Sequence, residues 1–138
     1  VEYIIRKYSD VEEIKRVLAT APQKLSLNEL YLVANSYESG SKEFLEVFEV
    51  AVRMYPNDQV ANLNAANSAM HKRDLESAKD YLKRAGNSPE AVYARAAYAA
   101  LIEDYDTARK LYKQAEASGV AQATTALAEL EVFIEKNK

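Results

Sequence analysis

A chain of 138 residues has the length of one ordinary domain, and 28% charged residues with a formal net charge of −3 predict a soluble surface. The negative charge argues against nucleic-acid binding, which needs Lys and Arg gathered on one face. Three Gly and three Pro favour long helices over a turn-rich β fold, and the lack of cysteine excludes disulfides and thiolate metal sites.

The first eight residues differ in composition from the rest of the chain. Residues 1–8 are rich in β-branched and aromatic side chains, which predicts an extended N-terminal arm or the end of a preceding domain. Because the chain begins with Val1, we expect it to be part of a longer or processed protein. The most apolar stretch, from Ala91 to Ile102, is interrupted by Arg95, so no segment is predicted to cross a bilayer.

Helix breakers divide the remaining chain at regular intervals. Four capping signals mark the boundaries: Ser9 with Glu12, Ser26 with Glu29, Ser88 before Pro89, and Gly119 after a helix end. Eight helices are predicted, over residues 10–20, 27–38, 42–55, 58–72, 74–85, 89–102, 104–117 and 120–136. The first and last have one apolar stripe, as terminal helices should. Helix 89–102 is apolar nearly all round, which predicts neighbours on several sides.

The second helices of three successive pairs repeat one pattern of large and small residues. The pattern reads Phe44–Val47–Phe48–Ala51, Leu75–Ala78–Leu82–Ala85 and Tyr105–Ala108–Tyr112–Ala115. Ala51 and Ala85 are 34 residues apart, and Ala85 and Ala115 are 30 apart. A period in this range is the sequence sign of a stacked repeat.

These units resemble the tetratricopeptide repeat (TPR), a 34-residue pair of antiparallel helices. Its small-residue positions match Ala66, Ala78 and Ala85 in the unit from Gln59, and Ala96, Ala108 and Ala115 in the unit from Pro89. Small residues allow helix axes to cross about 8–10 Å apart. The first unit, counted from Leu25, departs from the pattern by placing Leu32 and Phe44 at small positions, so its helices are expected to be splayed. The second ends early at Gly86, which should shorten its second helix.

The resemblance implies an all-α fold, a right-handed solenoid of antiparallel helix pairs with about eight helices and a C-terminal capping helix. Residues 9–138 would form one repeat domain, with units at about 25–58, 59–88 and 89–118 and the capping helix at 120–136. Proteins of this kind present an extended surface to a partner.

A second resemblance is more specific. Residues 25–34, 37–41, 48–58 and 61–66 look like the C-terminal repeat tail of OmpA-like proteins from bacterial cell envelopes. The resemblance implies an envelope or periplasmic location within a larger protein, with residues 1–8 as the trailing edge of the junction. A cytoplasmic location is the alternative.

The TPR resemblance also implies a protein or peptide partner on the concave face, formed by the first helix of each pair. Its groove positions map to Glu29, Leu30, Val33, Ser36 and Tyr37, to Leu63, Asn64, Asn67, Met70 and His71, and to Glu90, Tyr93, Ala94 and Ala97. Our candidate contact residues are Tyr37, Asn64, Asn67, Met70, His71, Tyr93 and Tyr98. Asn is a poor residue inside a helix unless its amide bonds to something, either a bound peptide or a neighbouring loop or helix.

Catalysis, metal binding and cofactors are not predicted. His71 is the only histidine, and nothing in the sequence places a nucleophile beside it. Glu103, Asp104 and Asp106 cluster, but they are more simply caps and helix-dipole partners than cation ligands. A clamp for a C-terminal carboxylate is disfavoured because Glu90 would repel the anion. The alternative function is a spacer or self-association domain, which sedimentation at rising concentration would reveal.

Overall fold

The computed structural model describes residues 11–137, and this part of the chain contains α-helices and one 3₁₀ turn but no strand. The helices are α1 Val11–Thr20, α2 Leu27–Ala34, α3 Lys42–Met54, α4 Gln59–His71, α5 Leu75–Lys83, α6 Pro89–Leu101, α7 Tyr105–Ala117 and α8 Ala121–Lys136, with the 3₁₀ turn at Pro22–Lys24. The predicted all-α class is confirmed over this range. The predicted arm at 1–8 and the cap at Ser9 lie outside the described residues.

Each described helix packs chiefly on the helices that precede and follow it in sequence. α6 has three neighbours, α4, α5 and α7, so the prediction from its all-round apolar surface is confirmed. The outer helices bury one stripe each, through Ile14 in α1 and through Ala123 and Leu130 in α8. The core is a series of clusters between consecutive helices.

The turns after α4 and α6 are the same structure, 30 residues apart. The backbone N–H of Asp74 donates to the carbonyl of Ala69 at 2.8 Å, and that of Asp104 donates to the carbonyl of Ala99 at 2.8 Å. The residues before these aspartates, Arg73 and Glu103, have positive φ angles of 61° and 65°. A left-handed residue after the helix end and a six-to-one hydrogen bond define a Schellman motif.

The same two aspartates begin the next helices. Asp74 accepts a hydrogen bond from the N–H of Ser77 at 3.2 Å, and Asp104 accepts one from the N–H of Thr107 at 3.3 Å. Asp104 therefore acts as a helix cap, as the simpler interpretation of the acidic cluster predicted. The repeat seen in the side-chain pattern is thus also a repeat of backbone hydrogen bonds.

Glu103→Gly is expected to stabilise the protein by about 0.5–1 kcal/mol. A side chain in the left-handed region costs about 1–2 kcal/mol, and glycine loses only part of that gain through its greater freedom in the unfolded chain. Equilibrium unfolding in urea measures the change. Lys113→Gly, an exposed change inside α7, should instead cost about 1 kcal/mol. Loss of stability in Glu103→Gly would show that the Glu103 side chain makes a needed contact.

In the first helix pair, α2 and α3, the buried residues of α2 are not those that the repeat counted from Leu25 predicts. Leu30, Val33 and Ala34 are fully buried, whereas Leu32 is 41% exposed. Leu32 therefore does not lie between α2 and α3 and cannot splay the two helices. α2 also ends at Ala34 rather than at the predicted residue 38, and a long loop, residues 35–41, leads to α3.

The second helix of the second pair, α5, is shortened, as predicted. α5 has 9 residues, against 13 in each of α3 and α7. Its end is held by Arg95 of α6, whose guanidinium donates to the carbonyls of Leu82 and Gly86 at 2.7 Å each. A cation at a helix C-terminus bonds the carbonyls left without intrahelical partners. Gly86 has a φ of 77°, which is favourable only for glycine.

Candidate partner-binding groove

An open groove of about 820 Å³ lies between α4 and α6, and we call it the α4–α6 groove. α4 contributes Leu63, Asn64, Asn67, Met70 and His71. α6 contributes Glu90, Tyr93, Ala97, Ala100 and Leu101. Further lining comes from the α2–α3 loop and the start of α3, from Arg73 after α4, from Tyr112 of α7, and from Val120 and Gln122 at the start of α8.

Most of the candidate contact residues lie on this groove. Asn64, Asn67, Met70, His71 and Tyr93 line it. The two remaining candidates do not.

Tyr37 and Tyr98 belong to the packing of the helices. Tyr37 packs on the first core cluster, and the ammonium of Lys15 lies 4.5 Å from its ring centroid. Tyr98 packs partly buried against the cluster formed by α4, α5 and α6. Neither ring lines the α4–α6 groove, so the structure groups five of the seven candidates and separates these two.

The α4 side of the groove is a polar stripe. Residues 64, 67 and 71 share one face of the helix because three- and four-residue steps return to the same side. The amide of Asn64 donates to the carbonyl of Val60 in its own helix at 3.0 Å. The side-chain amide of Asn67 makes no hydrogen bond to any residue from 11 to 137. Its donors and acceptor are therefore available in the groove.

Asn62 has a different role from the other two asparagines. It is fully buried, and its amide nitrogen donates to the carbonyls of Pro56 at 2.9 Å and Asp58 at 2.8 Å. Its oxygen accepts a hydrogen bond from Nε of Arg84 at 3.2 Å. Asn62 thus joins the loop before α4 to the end of α5, which is the structural use of an asparagine amide that the sequence left open.

The α6 side of the groove is built from small residues and one aromatic ring. Ala97 and Ala100 present only methyl groups, which leaves the space that forms the groove. Tyr93 stacks obliquely on Tyr112, with ring centroids 5.7 Å apart and planes at 55°. Tilted pairs of this kind are a favourable aromatic geometry. The wall is therefore mainly apolar, and the stripe on α4 can form hydrogen bonds.

Charges of both signs border the groove. His71 and Arg73 lie at the C-terminal end of α4 and the turn after it, and both are exposed. Glu90 lies in the first turn of α6. The groove therefore has no single charge that would select one class of ion.

Several groove positions taken from the family spacing are wrong. Leu30 and Val33 are fully buried and Ala94 is 2% exposed, so none of them can touch a ligand. Glu29 accepts a hydrogen bond from the N–H of Ser26 at 2.8 Å and completes the predicted capping box.

The residues that the sequence missed come from other elements. Ser39 and Gly40 enter the lining from the α2–α3 loop, and Tyr112, Val120 and Gln122 enter from α7 and α8. Gly40 lies between two predicted helices, but its place in the lining of the groove was not predictable from the sequence. Tyr112 belongs to the repeated pattern of large and small residues, and it is both buried and part of the lining.

A polar cluster between α3 and α4 shares no residue with the groove. Glu49 accepts hydrogen bonds from the hydroxyl of Ser68 and the ammonium of Lys72, each at 2.5 Å. Burial acts to raise the pKa of Glu49, but the hydrogen bonds from Lys72 and Ser68 outweigh it and lower the pKa. The carboxylate therefore stays ionised and joins the two helices, which leaves it no role as a general acid.

The described residues hold no group of three or more His, Cys, Asp or Glu side chains placed to bind a metal ion. Over the same range, no helix has both the length and the hydropathy needed to span a bilayer. A scan against models of known protein families and a search of curated proteins found no match for this chain.

Proposed function

We propose that this chain is a right-handed, TPR-like solenoid that binds a peptide or protein segment along the α4–α6 groove. Support for the solenoid comes from the packing of consecutive helices, from the Schellman turns at Arg73 and Glu103, and from fully buried alanines at 66, 78, 96 and 108. A location in a bacterial cell envelope, within a larger OmpA-like protein, is supported by the sequence resemblance alone.

The free amide of Asn67 opposite the small-residue wall of α6 is the observation that carries the binding proposal. A primary amide both donates and accepts, as a peptide backbone does, and Ala97 leaves room for a chain. α4 has 13 residues and is about 20 Å long, so it offers space for roughly six residues of an extended segment. Leu63, Met70 and Leu101 supply apolar contacts for its side chains.

Ala97→Arg should weaken this binding by filling the groove with a long side chain. Peptides would be selected from a random 12-residue display library against the wild-type protein, and their dissociation constants measured by calorimetry. We expect the affinity of selected peptides to fall at least about tenfold in Ala97→Arg, because a loss of about 1.4 kcal/mol of binding free energy is enough for a tenfold change.

The matched control is Ala117→Arg, the same change at an exposed residue of α7 outside the groove. It should leave affinity unchanged, and circular dichroism should show equal helix content in both variants. Sedimentation at increasing concentration would separate peptide binding from self-association of the wild-type chain. Selection of no peptide, or equal binding by Ala97→Arg and wild type, contradicts the proposed function.

A further inference from the structure

The charged side chains that line the α4–α6 groove lie at its two ends. Within the lining, Glu90 is the only carboxylate, and His71 and Arg73 are the only basic residues, that the structure describes. His71 is the last residue of α4 and Arg73 lies in the turn after it, whereas Glu90 is in the first turn of α6. All three are exposed, and none of them forms an ion pair with a residue from 11 to 137. Their side chains are therefore available to a bound segment.

α4 and α6 begin at the same end of the groove. The start of α4 lies beside the end of α5, where Nε of Arg84 donates to the side-chain oxygen of Asn62 at 3.2 Å. The side chain of Gln59, the first residue of α4, also lies against Gly86 in the short loop that leads from α5 to α6. From this shared end, α4 and α6 both run along the groove, and the turn at residues 72–74 follows α4 at the other end.

The basic and acidic side chains are therefore separated along the groove. α4 and α6 have 13 residues each, so their C-terminal ends lie level as well as their starts. The helical rise from Glu90 to Leu101, at the end of α6, is about 16 Å, and Arg73 lies at the same end as Leu101. An extended peptide advances about 3.3 Å per residue, so about four to six residues separate ligand side chains that reach the two ends.

We propose that the segment bound in the α4–α6 groove carries an acidic side chain that pairs with Arg73 and, about four to six residues away, a basic side chain that pairs with Glu90. The proposal rests on the function proposed above and names the charge pattern of the ligand. The guanidinium of Arg73 stays protonated and can bind a carboxylate through two hydrogen bonds. Asn67 lies between the two ends and remains available to the backbone of the same segment.

The two charges select between segments more than they tighten binding. A segment with two acidic side chains at this spacing would place one of them against Glu90, and a segment with two basic side chains would place one against Arg73. Because Arg73 and Glu90 are exposed, solvent and salt weaken each pairing, and we expect one mismatch to lower the affinity about threefold. Contacts with Asn67 and with the apolar wall of α6 are common to all of these segments.

Three heptapeptides that differ only in charge test this pattern. Each has acetyl and amide ends, serine at the odd positions and leucine at the centre, and its second and sixth residues are Glu and Lys, Glu and Glu, or Lys and Lys. Those two residues point to the same face of an extended chain, and the palindromic frame lets either chain direction present them. Titration into ¹⁵N-labelled protein, followed through the side-chain amide signal of Asn67, gives each dissociation constant. We expect wild type to bind the Glu and Lys peptide about threefold more tightly than either of the others.

Charge reversals in the protein should change the preferred peptide. Glu90→Lys makes both ends of the groove positive and should move the preference to the peptide with two Glu. Arg73→Glu should move it to the peptide with two Lys, and the double variant should again prefer Glu and Lys. Glutamate is tolerated at position 73, because Glu103 holds the equivalent position of the other Schellman turn. Glu76→Lys, in the first turn of α5 and outside the groove, is the matched control and should bind as wild type does.

Circular dichroism should show wild-type helix content in every variant. Equal binding of the three heptapeptides by wild type, or the same preference in wild type and Glu90→Lys, would overturn the proposal. If library peptides require Ala97 but the heptapeptides bind equally, the groove function stands and the charge pattern fails. Selection of no library peptide, together with no binding of any heptapeptide, overturns the proposed function and the charge pattern together.

Discussion

Asn62→Ala is expected to lower the free energy of unfolding by roughly 2–4 kcal/mol, because two groups elsewhere in the protein lose their hydrogen bonds to the buried Asn62 side chain. The carbonyl of Pro56 and Nε of Arg84 both bond to the Asn62 amide, and the residue is fully buried. Each hydrogen bond that Asn62 loses costs about 0.5–1.5 kcal/mol, and the cavity left by its buried side chain adds to that. Equilibrium unfolding in urea measures the change.

Asn64→Ala is the matched control for this prediction. It lies two residues away in the same helix, but its amide bonds only to the carbonyl of Val60 in the preceding turn. We expect a change within about 0.5 kcal/mol, since alanine is the better helix former. Equal effects at the two positions would mean that the Asn62 hydrogen bonds contribute no stability.

Ala96→Leu is expected to destabilise the protein by about 3 kcal/mol, the upper part of the usual range for overpacking. Ala96 and Ala108 are both fully buried in the cluster that joins α6 to α7, the most extensively packed pair of described helices. Three added carbon atoms would have to push these helices apart. Because α6 also contacts α4 and α5, it cannot move freely to make room.

Thermal and urea unfolding of Ala96→Leu should be compared with Ala128→Leu. Ala128 is an exposed residue of α8, where the same enlargement meets solvent. That control should change stability by no more than about 0.5 kcal/mol. Wild-type stability in Ala96→Leu would contradict the close approach of α6 and α7.

Local structure was largely predictable, because helix limits depend on short-range effects. Ser26 with Glu29 and Ser88 before Pro89 form the predicted caps, and Gly119 has the expected positive φ, at 94°. The main error in a helix boundary is at α2, which ends at Ala34. The residues from 35 to 38 contain no Gly or Pro, so the first helix breaker after Ala34 is Gly40 and the local pattern does not show where the loop begins.

The register of the first pair was not predictable from spacing. Repeat positions in α2 were assigned by assuming that the turn between α2 and α3 has the same length as the turns at Arg73 and Glu103. The loop 35–41 is longer than those turns, and in α2 Leu30, Val33 and Ala34 are buried while Leu32 is exposed. Burial is decided by which residues of α3 face α2, and that depends on the tertiary structure.

The lining of the groove likewise contains residues that the sequence predicts and residues that only the tertiary structure reveals. Asn64 and Asn67 of α4 and Tyr93 of α6 could be predicted from the sequence, because helix periodicity places each of them on the groove-facing side of its own helix. Tyr112 and Gln122 were not, since they approach the groove from helices that precede and follow the α7–α8 turn.

The amino-acid sequence by itself determined the all-α class, the helix caps and the alternation of large and small residues, because these properties depend on neighbours within a few positions along the chain. Only the tertiary structure decided which of three similar asparagines is structural and which is free. Asn62 and Asn67 are chemically identical, and the difference is that Arg84 and the loop carbonyls approach one of them while the other faces an open groove.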